Sequence, residues 1–167
     1  MSDTATVLFL CTGNSCRSIL AEAAFNDLAP PGWRAVSAGS KPTGKVHPRS
    51  LALLHREGIA TVGLRSKSWD ELPVKPDIVI TVCASAAGET CPAYLATGVV
   101  RSHWGVEDPA HATGSDGEID AAFMQAYRTL RTRIEAFLAL PLENLRHDPK
   151  RLKAEMDRIA TLIPLPV

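Results

Sequence analysis

The stretch Cys11-Thr12-Gly13-Asn14-Ser15-Cys16-Arg17-Ser18 lies between an apolar run at residues 7–10 and a helix-like segment that begins at Ile19. A cysteine therefore stands where a buried strand ends and a helix begins. In such a loop the backbone N–H groups and the helix N-terminus converge on one anion, and they also stabilise a thiolate. Arg17 adds a planar guanidinium that can bind two oxygens of a tetrahedral oxyanion. The stretch predicts a nucleophilic Cys11 beneath a phosphate-like substrate.

The length and composition are those of a single globular domain. The chain has 167 residues, of which 46% are hydrophobic, and this is enough for one core. Its 18 basic residues balance 18 acidic ones, so we expect no nucleic-acid or membrane surface. No apolar run reaches the length of about 18 residues that a membrane span needs, and the N-terminus is not a secretory signal. We expect a cytoplasmic monomer whose four cysteines start out reduced, which favours catalytic or redox thiols over structural disulfides.

Strand-like and helix-like segments alternate along the chain. Apolar runs predict strands at residues 5–10, 34–37, 77–82 and 99–102, and helical spacing predicts helices at 18–28, 48–57, 118–138 and 149–162. This order predicts an α/β fold, a three-layer sandwich in which helices cover both faces of a four-stranded parallel sheet. Ligands of such sheets bind at the carboxyl ends of the strands, where Cys11 and Cys83 both fall. We expect residues 1–141 to form the domain and residues 142–167 to be a helical extension packed on it.

Five segments of the chain together resemble one known family. They are the loop at 11–18, Ser37-Ala38-Gly39, Val79-Ile80-Thr81-Val82-Cys83, Glu89-Thr90-Cys91-Pro92 and His103-Trp104-Gly105-Val106-Glu107-Asp108-Pro109-Ala110. They resemble arsenate reductases of the low-molecular-weight protein tyrosine phosphatase type, in the thioredoxin-coupled class, over about residues 7–140. Phosphatases and reductases share the loop, whereas the second cysteine pair and the His-Trp-Gly segment resemble the reductases. The resemblance implies the low-molecular-weight phosphatase-like version of the α/β fold.

The resemblance also assigns roles in the reduction of arsenate to arsenite. This reaction takes two electrons, which two thiols supply when they form a disulfide. Cys11 would attack arsenic while Arg17 and the loop hold the oxygens, and Asp108 would protonate the departing oxygen. We expect His103 and Trp104 to support the loop that carries Asp108. The implied substrate-binding residues are Thr12, Gly13, Asn14, Ser15, Cys16, Arg17 and Ser18.

Two further cysteines would complete the relay that the resemblance implies. Cys83 would attack the sulfur of Cys11 and release arsenite, and Cys91 would then attack Cys83. The residues between Cys83 and Cys91 are mainly small and include Gly88, so this segment can rearrange at low steric cost. Thioredoxin would reduce the final disulfide, with glutaredoxin or glutathione as the alternative reductant. No cofactor is expected.

A cation site behind the loop is the remaining feature that the resemblance suggests. Some relatives bind potassium there, and Asn14, Glu22 and Ser37 match three of the ligand positions. The remaining segment contains Lys67, whose ammonium could take the place of the cation, so we expect no required metal. The cysteine spacings fall outside those of tight zinc ribbons, and the five histidines show no ligand spacing.

Several alternatives stay open at this point. A low-molecular-weight tyrosine phosphatase would use Cys11, Arg17 and Asp108 without another thiol, although no tyrosine pair follows Asp108. A binding module that senses metals or oxidants would use the thiols as ligands. Cys83 and Cys91 could also be inert buried thiols. Cys16 has no step in the relay, and its side chain is expected to be dispensable for turnover.

Overall fold

Parallel strands form the centre of the molecule. The computed structural model describes residues 4–72, 75–82 and 99–162. Within these ranges four strands pair in parallel, in the order β2-β1-β3-β4. The elements are β1 (Ala5–Leu10), α1 (Arg17–Leu28), β2 (Trp33–Ala38), α2 (Pro48–Arg56), β3 (Ile78–Thr81), β4 (Val100–His103), α3 (Asp116–Leu138), α4 (Leu142–Leu145) and α5 (Pro149–Ile159).

β1 lies in the middle of this sheet and fixes its register. Every residue of β1 is buried, as expected for a central strand that is covered on both faces. Leu8 pairs with Val36 of β2 and with Val79 of β3. The carboxyl ends of these strands therefore lie together at one edge of the sheet. The predicted α/β fold with a four-stranded parallel sheet is confirmed.

Aromatic side chains join α1 and α3 to the sheet. Phe137 of α3 lies at ring-centroid distances of 5.7 Å from Trp33, 6.1 Å from Phe25 and 6.3 Å from Trp104. Phe9 of β1 contacts Phe25 and Trp104 from the sheet. One core therefore spans the distance from β2 to the chain that follows β4. In the described ranges, no helix combines the length and apolar character needed to cross a membrane.

The C-terminal helix α5 lies along the edge strand β4. Its Leu152, Met156 and Ile159 are buried. Ser102 Oγ donates a hydrogen bond to Asp157 Oδ1 at 2.7 Å, so β4 and α5 are also joined by a polar contact. Lys153 Nζ of α5 also donates to Arg101 O of β4 at 2.8 Å, so the helix contacts the backbone of this strand as well. The predicted division of the chain at residue 141 stays a prediction.

Candidate active site

The loop at residues 11–18, called the anion loop below, connects the carboxyl end of β1 to the first turn of α1. Cys11 directly follows β1 and is 3% exposed. Its N–H donates to Ala38 O at 3.2 Å, which extends the pairing of β1 with β2. Arg17 is the first residue of α1. The structure therefore places Cys11 at the end of β1, in the loop that leads into α1, where the sequence predicted it.

Three carbonyl groups of the anion loop, those of Thr12, Gly13 and Ser15, point outward. In a trans peptide the C=O of one residue and the N–H of the next point in opposite directions. An outward carbonyl therefore turns the following N–H toward the inside of the loop, where an anion can accept it. The outward hydrogen bonds run from Lys41 N to Thr12 O (3.0 Å), from Thr43 N to Gly13 O (3.0 Å) and from His47 N to Ser15 O (3.1 Å).

Asn14 fixes the shape of the loop. Its backbone has a φ of 47°, a left-handed conformation that asparagine tolerates better than most residues. The side chain is fully buried, and its Nδ2 donates to Ser18 Oγ at 2.8 Å and to Ser37 Oγ at 3.0 Å. Its Oδ1 accepts the N–H of Lys67 at 2.8 Å. Asn14 therefore ties the loop to α1, to β2 and to the segment around Lys67.

Glu22 and Lys67 form a buried ion pair behind the loop. Lys67 Nζ lies 3.8 Å from Glu22 Oε1, which also accepts the Ser37 hydroxyl at 2.5 Å. Burial raises the pKa of Glu22, while Ser37 and Lys67 act in the opposite direction. Burial lowers the pKa of Lys67, while the charge of Glu22 opposes that change. Each side chain therefore offsets part of the cost of burying the other.

The side chains at the suggested potassium position do not fit a potassium ion. Such an ion needs several free oxygen ligands, but Asn14 Oδ1 already accepts the Lys67 N–H and Ser37 Oγ is bound to Asn14 and Glu22. The Lys67 ammonium supplies the positive charge beside Glu22. In the part of the chain that the structure describes, no cluster of three His, Cys, Asp or Glu side chains could hold a metal. The absence of a required metal stays a prediction.

Gly39 allows the strand end of β2 to approach the anion loop. A methyl group on Gly39 would lie 2.6 Å from Cys11 O and closer still to Thr12 O. The Gly39 N–H donates to Lys67 O at 2.9 Å. Only a residue without a side chain fits between these groups, which explains the glycine of the Ser37-Ala38-Gly39 segment.

Arg17 connects the anion loop to the predicted general acid. Its Nη1 donates to Val106 O at 3.0 Å, and its Nη2 lies 3.3 Å from Asp108 Oδ2. Asp108 Oδ1 accepts the N–H of Ala110 at 2.9 Å and so caps a short 3₁₀ turn. The Nε of Arg17 is buried and has no hydrogen-bond partner within the described chain. An oxyanion above Cys11 would satisfy this donor.

Cys16 differs from Cys11 in its position at the end of the anion loop. It is the N-cap residue of α1 and is 5% exposed. Burial raises the pKa of the Cys16 thiol to about 11, with a further contribution from the negative charge of Asp108. At neutral pH Cys16 is therefore a thiol rather than a nucleophilic thiolate. The dispensability of its side chain stays a prediction.

The remaining predicted cysteines, Cys83 and Cys91, lie outside the described residues. The chain just before Cys83 is described, and there the Val82 N–H donates to Leu10 O at 2.9 Å. Leu10 directly precedes Cys11.

Sequence reasoning missed Arg133, which is 5% exposed and donates to Trp104 O at 3.0 Å. The sequence feature that could have identified Arg133 is its position among the apolar residues on the buried side of α3.

The chain is similar to proteins that are described as arsenate reductases. The family model of low molecular weight phosphotyrosine protein phosphatase matches residues 6–155. The arsenate reductase of Halalkalibacterium halodurans is 39% identical over 132 residues, which cover 78% of this chain and 93% of that relative. A solved structure of an arsenate reductase in the phosphate-binding state is 28% identical, with a TM-score of 0.67, and the match covers 81% of this chain and 98% of the other.

A second solved structure adds a reductant to the comparison. The thioredoxin-dependent arsenate reductase of Corynebacterium glutamicum is 27% identical, with a TM-score of 0.56 over 80% of this chain and 63% of that one. The family match extends from β1 into α5 and includes the anion loop, Arg17 and Asp108. The chain belongs to the low molecular weight phosphotyrosine protein phosphatase family.

Proposed function

We propose that this protein reduces arsenate to arsenite through a relay of three cysteine thiols. The observation that carries the proposal is the anion loop, whose outward carbonyl groups turn the following N–H groups inward and whose Arg17 has a buried Nε with no hydrogen-bond partner in the described chain. Arsenate is a tetrahedral oxyanion that matches these donors. The similarity to arsenate reductases supports this substrate over other oxyanions.

In the first step the Cys11 thiolate attacks arsenic and forms a sulfur–arsenic bond. A hydroxyl group of the arsenate leaves arsenic, takes the proton of the Asp108 carboxylic acid and departs as water, while Asp108 remains as a carboxylate. Arg17 and the loop N–H groups hold the remaining oxygens. The distance of 3.3 Å between Arg17 Nη2 and Asp108 Oδ2 supports this assignment because it keeps the carboxyl group beside a residue of the anion loop. Arsenic remains pentavalent until the next step.

In the second step the Cys83 thiolate attacks the sulfur of Cys11. The sulfur–arsenic bond breaks and its electron pair goes to arsenic, which leaves as arsenite, while Cys11 and Cys83 form a disulfide. The hydrogen bond from Val82 N to Leu10 O supports this order, because these residues directly precede the two cysteines. Cys91 then attacks Cys83, forms the second disulfide and releases the Cys11 thiolate.

Thioredoxin is the proposed reductant of the disulfide between Cys83 and Cys91. A dithiol donor returns both cysteines to thiols by the same exchange chemistry and becomes oxidised in turn. The thioredoxin-dependent reductase among the similar structures supports this choice. Glutaredoxin with glutathione is the alternative donor. We further propose a monomer that works in the cytoplasm, where its thiols start out reduced.

Coupled NADPH oxidation tests the proposal. Thioredoxin, thioredoxin reductase and NADPH are combined with the wild type or with Cys11→Ser, Cys83→Ser or Cys91→Ser, and arsenate is added, with phosphate as the control anion. We expect arsenate-dependent turnover only in the wild type. Turnover that survives the Cys83→Ser or Cys91→Ser substitution would refute the relay. A wild type that is active with glutaredoxin and glutathione but inactive with thioredoxin would refute the reductant.

Phosphatase activity is the second candidate function. It is favoured by the family match and by the pairing of Arg17 with Asp108, which serve phosphate ester hydrolysis as well as arsenate binding. Hydrolysis needs Cys11 but neither Cys83 nor Cys91. Phosphopeptide hydrolysis by the Cys83→Ser, Cys91→Ser double variant, together with no arsenate turnover by the wild type, would make phosphatase the main function.

A further inference from the structure

Two arginines tie residues 104–108, called the acid loop below, to the rest of the molecule. Arg17 holds the acid loop from the side of the anion loop. From the other side, Arg133 Nη1 of α3 donates to Trp104 O at 3.0 Å and to Gly105 O at 3.2 Å. Asp108 is the last residue of the acid loop. Its position therefore depends on contacts at both ends of the segment.

The contacts of Arg133 continue to the C-terminal part of the chain. Arg133 Nε donates to Leu162 O, just beyond α5, at 3.0 Å. The indole Nε1 of Trp104 donates to Met156 O of α5, also at 3.0 Å. Arg133 and Trp104 are both buried, and the hydrogen bond from Trp104 is buried, whereas the one from Arg133 to Leu162 O is partly buried. Two polar contacts thus join the C-terminal segment to the first residues of the acid loop.

Packing alone does not fix the acid loop. Val106, Asp108 and Pro109 line a cavity of about 350 Å³ together with Ala122 and Gln125 of α3. A segment beside a cavity can shift without losing many apolar contacts, because few atoms lie against it on that side. Beyond the buried Trp104, the position of the acid loop therefore depends on hydrogen bonds, those from the two arginines and the one from Val106 N to Val82 O at 3.0 Å.

The described contacts of Arg133 are with backbone carbonyl groups. Burial lowers the pKa of Arg133, and no carboxylate of the described residues forms an ion pair with it. An apolar side chain at this position of α3 would avoid the cost of burying a charge. An apolar side chain could not, however, donate the hydrogen bonds that Arg133 makes to these carbonyl groups.

We infer that Arg133 is a positioning residue for the general acid Asp108 and that it links the C-terminal segment to the acid loop. The inference rests on the proposed function, in which Asp108 protonates the departing oxygen. A general acid must lie within hydrogen-bond reach of that oxygen, and a displacement of about 1 Å can lower a rate about 100-fold. Arg133 acts through the backbone of Trp104 and Gly105 and need not contact the substrate.

The test uses the full-length protein with Arg133→Met, Arg133→Lys and the matched control Arg131→Met. Arg131 lies on the same helix, and its side chain contacts Tyr127 and Glu135 of that helix. Each variant is assayed with two aryl phosphates, phenyl phosphate and p-nitrophenyl phosphate, and with arsenate in the coupled assay. Phenolate is the poorer leaving group and depends more on the general acid. Thermal unfolding is measured in parallel.

We expect the Arg133→Met substitution to lower kcat for phenyl phosphate about 10- to 100-fold, with a smaller loss for p-nitrophenyl phosphate and an unchanged KM. For arsenate, kcat should fall and KM should stay unchanged. Lysine at position 133 should restore part of the loss, because an ammonium can reach at least one carbonyl group. The Arg131→Met control should match the wild type. Equal losses for both esters, or no loss in kcat, would overturn the inference.

A second substitution covers the case in which the Arg133→Met protein does not fold. Trp104→Phe keeps an aromatic ring but removes the donor to Met156 O, so it should show the same dependence on the leaving group, and equal behaviour of both esters would again overturn the inference. If the wild type hydrolyses the esters but does not reduce arsenate, arsenate reduction is refuted while the ester ratio still decides the role of Arg133. A wild type that does neither refutes both.

Discussion

Lys67 connects the charge balance behind the anion loop with the shape of that loop. Its Nζ lies 3.8 Å from Glu22 Oε1, and the two side chains are only 8% and 12% exposed. Its backbone N–H donates a hydrogen bond to Asn14 Oδ1 at 2.8 Å. Removing one partner of a buried ion pair typically destabilises a protein by about 3 kcal/mol or more, because the other charge remains buried without compensation.

The substitution Lys67→Met should make stability depend more steeply on pH. Without the ammonium, the pKa of Glu22 rises further above its ordinary value of 4.5. The folded protein then keeps a proton on Glu22 at pH values where the unfolded chain has lost it. Because the folded state binds more protons, its stability falls as the pH rises above 4.5, until Glu22 is ionised in the folded state as well.

Urea unfolding of the wild type and of Lys67→Met between pH 4 and pH 8 measures this effect. The difference in free energy of unfolding should widen with pH and reach about 3 kcal/mol near neutrality. When both proteins also carry Glu22→Gln, the titrating group is absent, and the effect of Lys67→Met should become independent of pH. A constant difference in the single variant would contradict the ion pair.

The substitution Asp108→Asn should affect the chemical step more than substrate binding. Asparagine keeps the shape of the side chain and can still accept the Ala110 N–H, but it cannot donate the proton of a carboxylic acid. We expect kcat for arsenate to fall about 100-fold or more, as is typical for loss of a general acid, with little change in KM. Glu107→Gln is the matched control, since Glu107 is an adjacent, exposed carboxylate. A rise in KM with unchanged kcat would exclude the acid role.

At the scale of elements, the sequence predicted the helices and strands whose formation depends on neighbouring residues. The bounds of β1 agree with the prediction, because this central strand is apolar throughout and buried on both faces. The four-residue helix α4 was missed, since so short a segment shows no helical periodicity. The contacts of Arg133 could not be predicted either, because they join residues that are distant in sequence. The anion loop was predictable, since its chemistry lies within one continuous stretch.

The close approach of β2 to the anion loop makes Gly39 sensitive to substitution. In Gly39→Ala the new methyl group would lie 2.6 Å from Cys11 O, so the loop or the strand must move. We expect a loss of about 1–3 kcal/mol in the free energy of unfolding, as for other overpacked sites, together with weaker binding of arsenate. Gly117→Ala is the control, since its methyl group meets only Ser115 Oγ at 3.9 Å. Unchanged anion binding in Gly39→Ala would show that the contact can relax.

At the scale of the whole molecule, the C-terminal segment shares its core with the sheet. Leu142 and Leu145 of α4 and Leu152, Met156 and Ile159 of α5 belong to the same buried cluster as β1 and β3. A shared core usually makes small proteins unfold in one cooperative step. We therefore propose that residues 142–167 unfold together with residues 1–141 rather than as a separate unit.

The substitution Met156→Ala tests this cooperativity. Met156 is fully buried, and removing such a side chain costs about 2–5 kcal/mol. Far-UV circular dichroism reports the helices, and tryptophan fluorescence reports the core around Trp33 and Trp104. If the segments unfold together, both signals shift to lower denaturant concentration and still coincide, because the loss in α5 destabilises the sheet equally. An early helical transition without a fluorescence change would mean that α5 unfolds alone. Val62→Ala, at a side chain that is 97% exposed, should leave both curves unchanged.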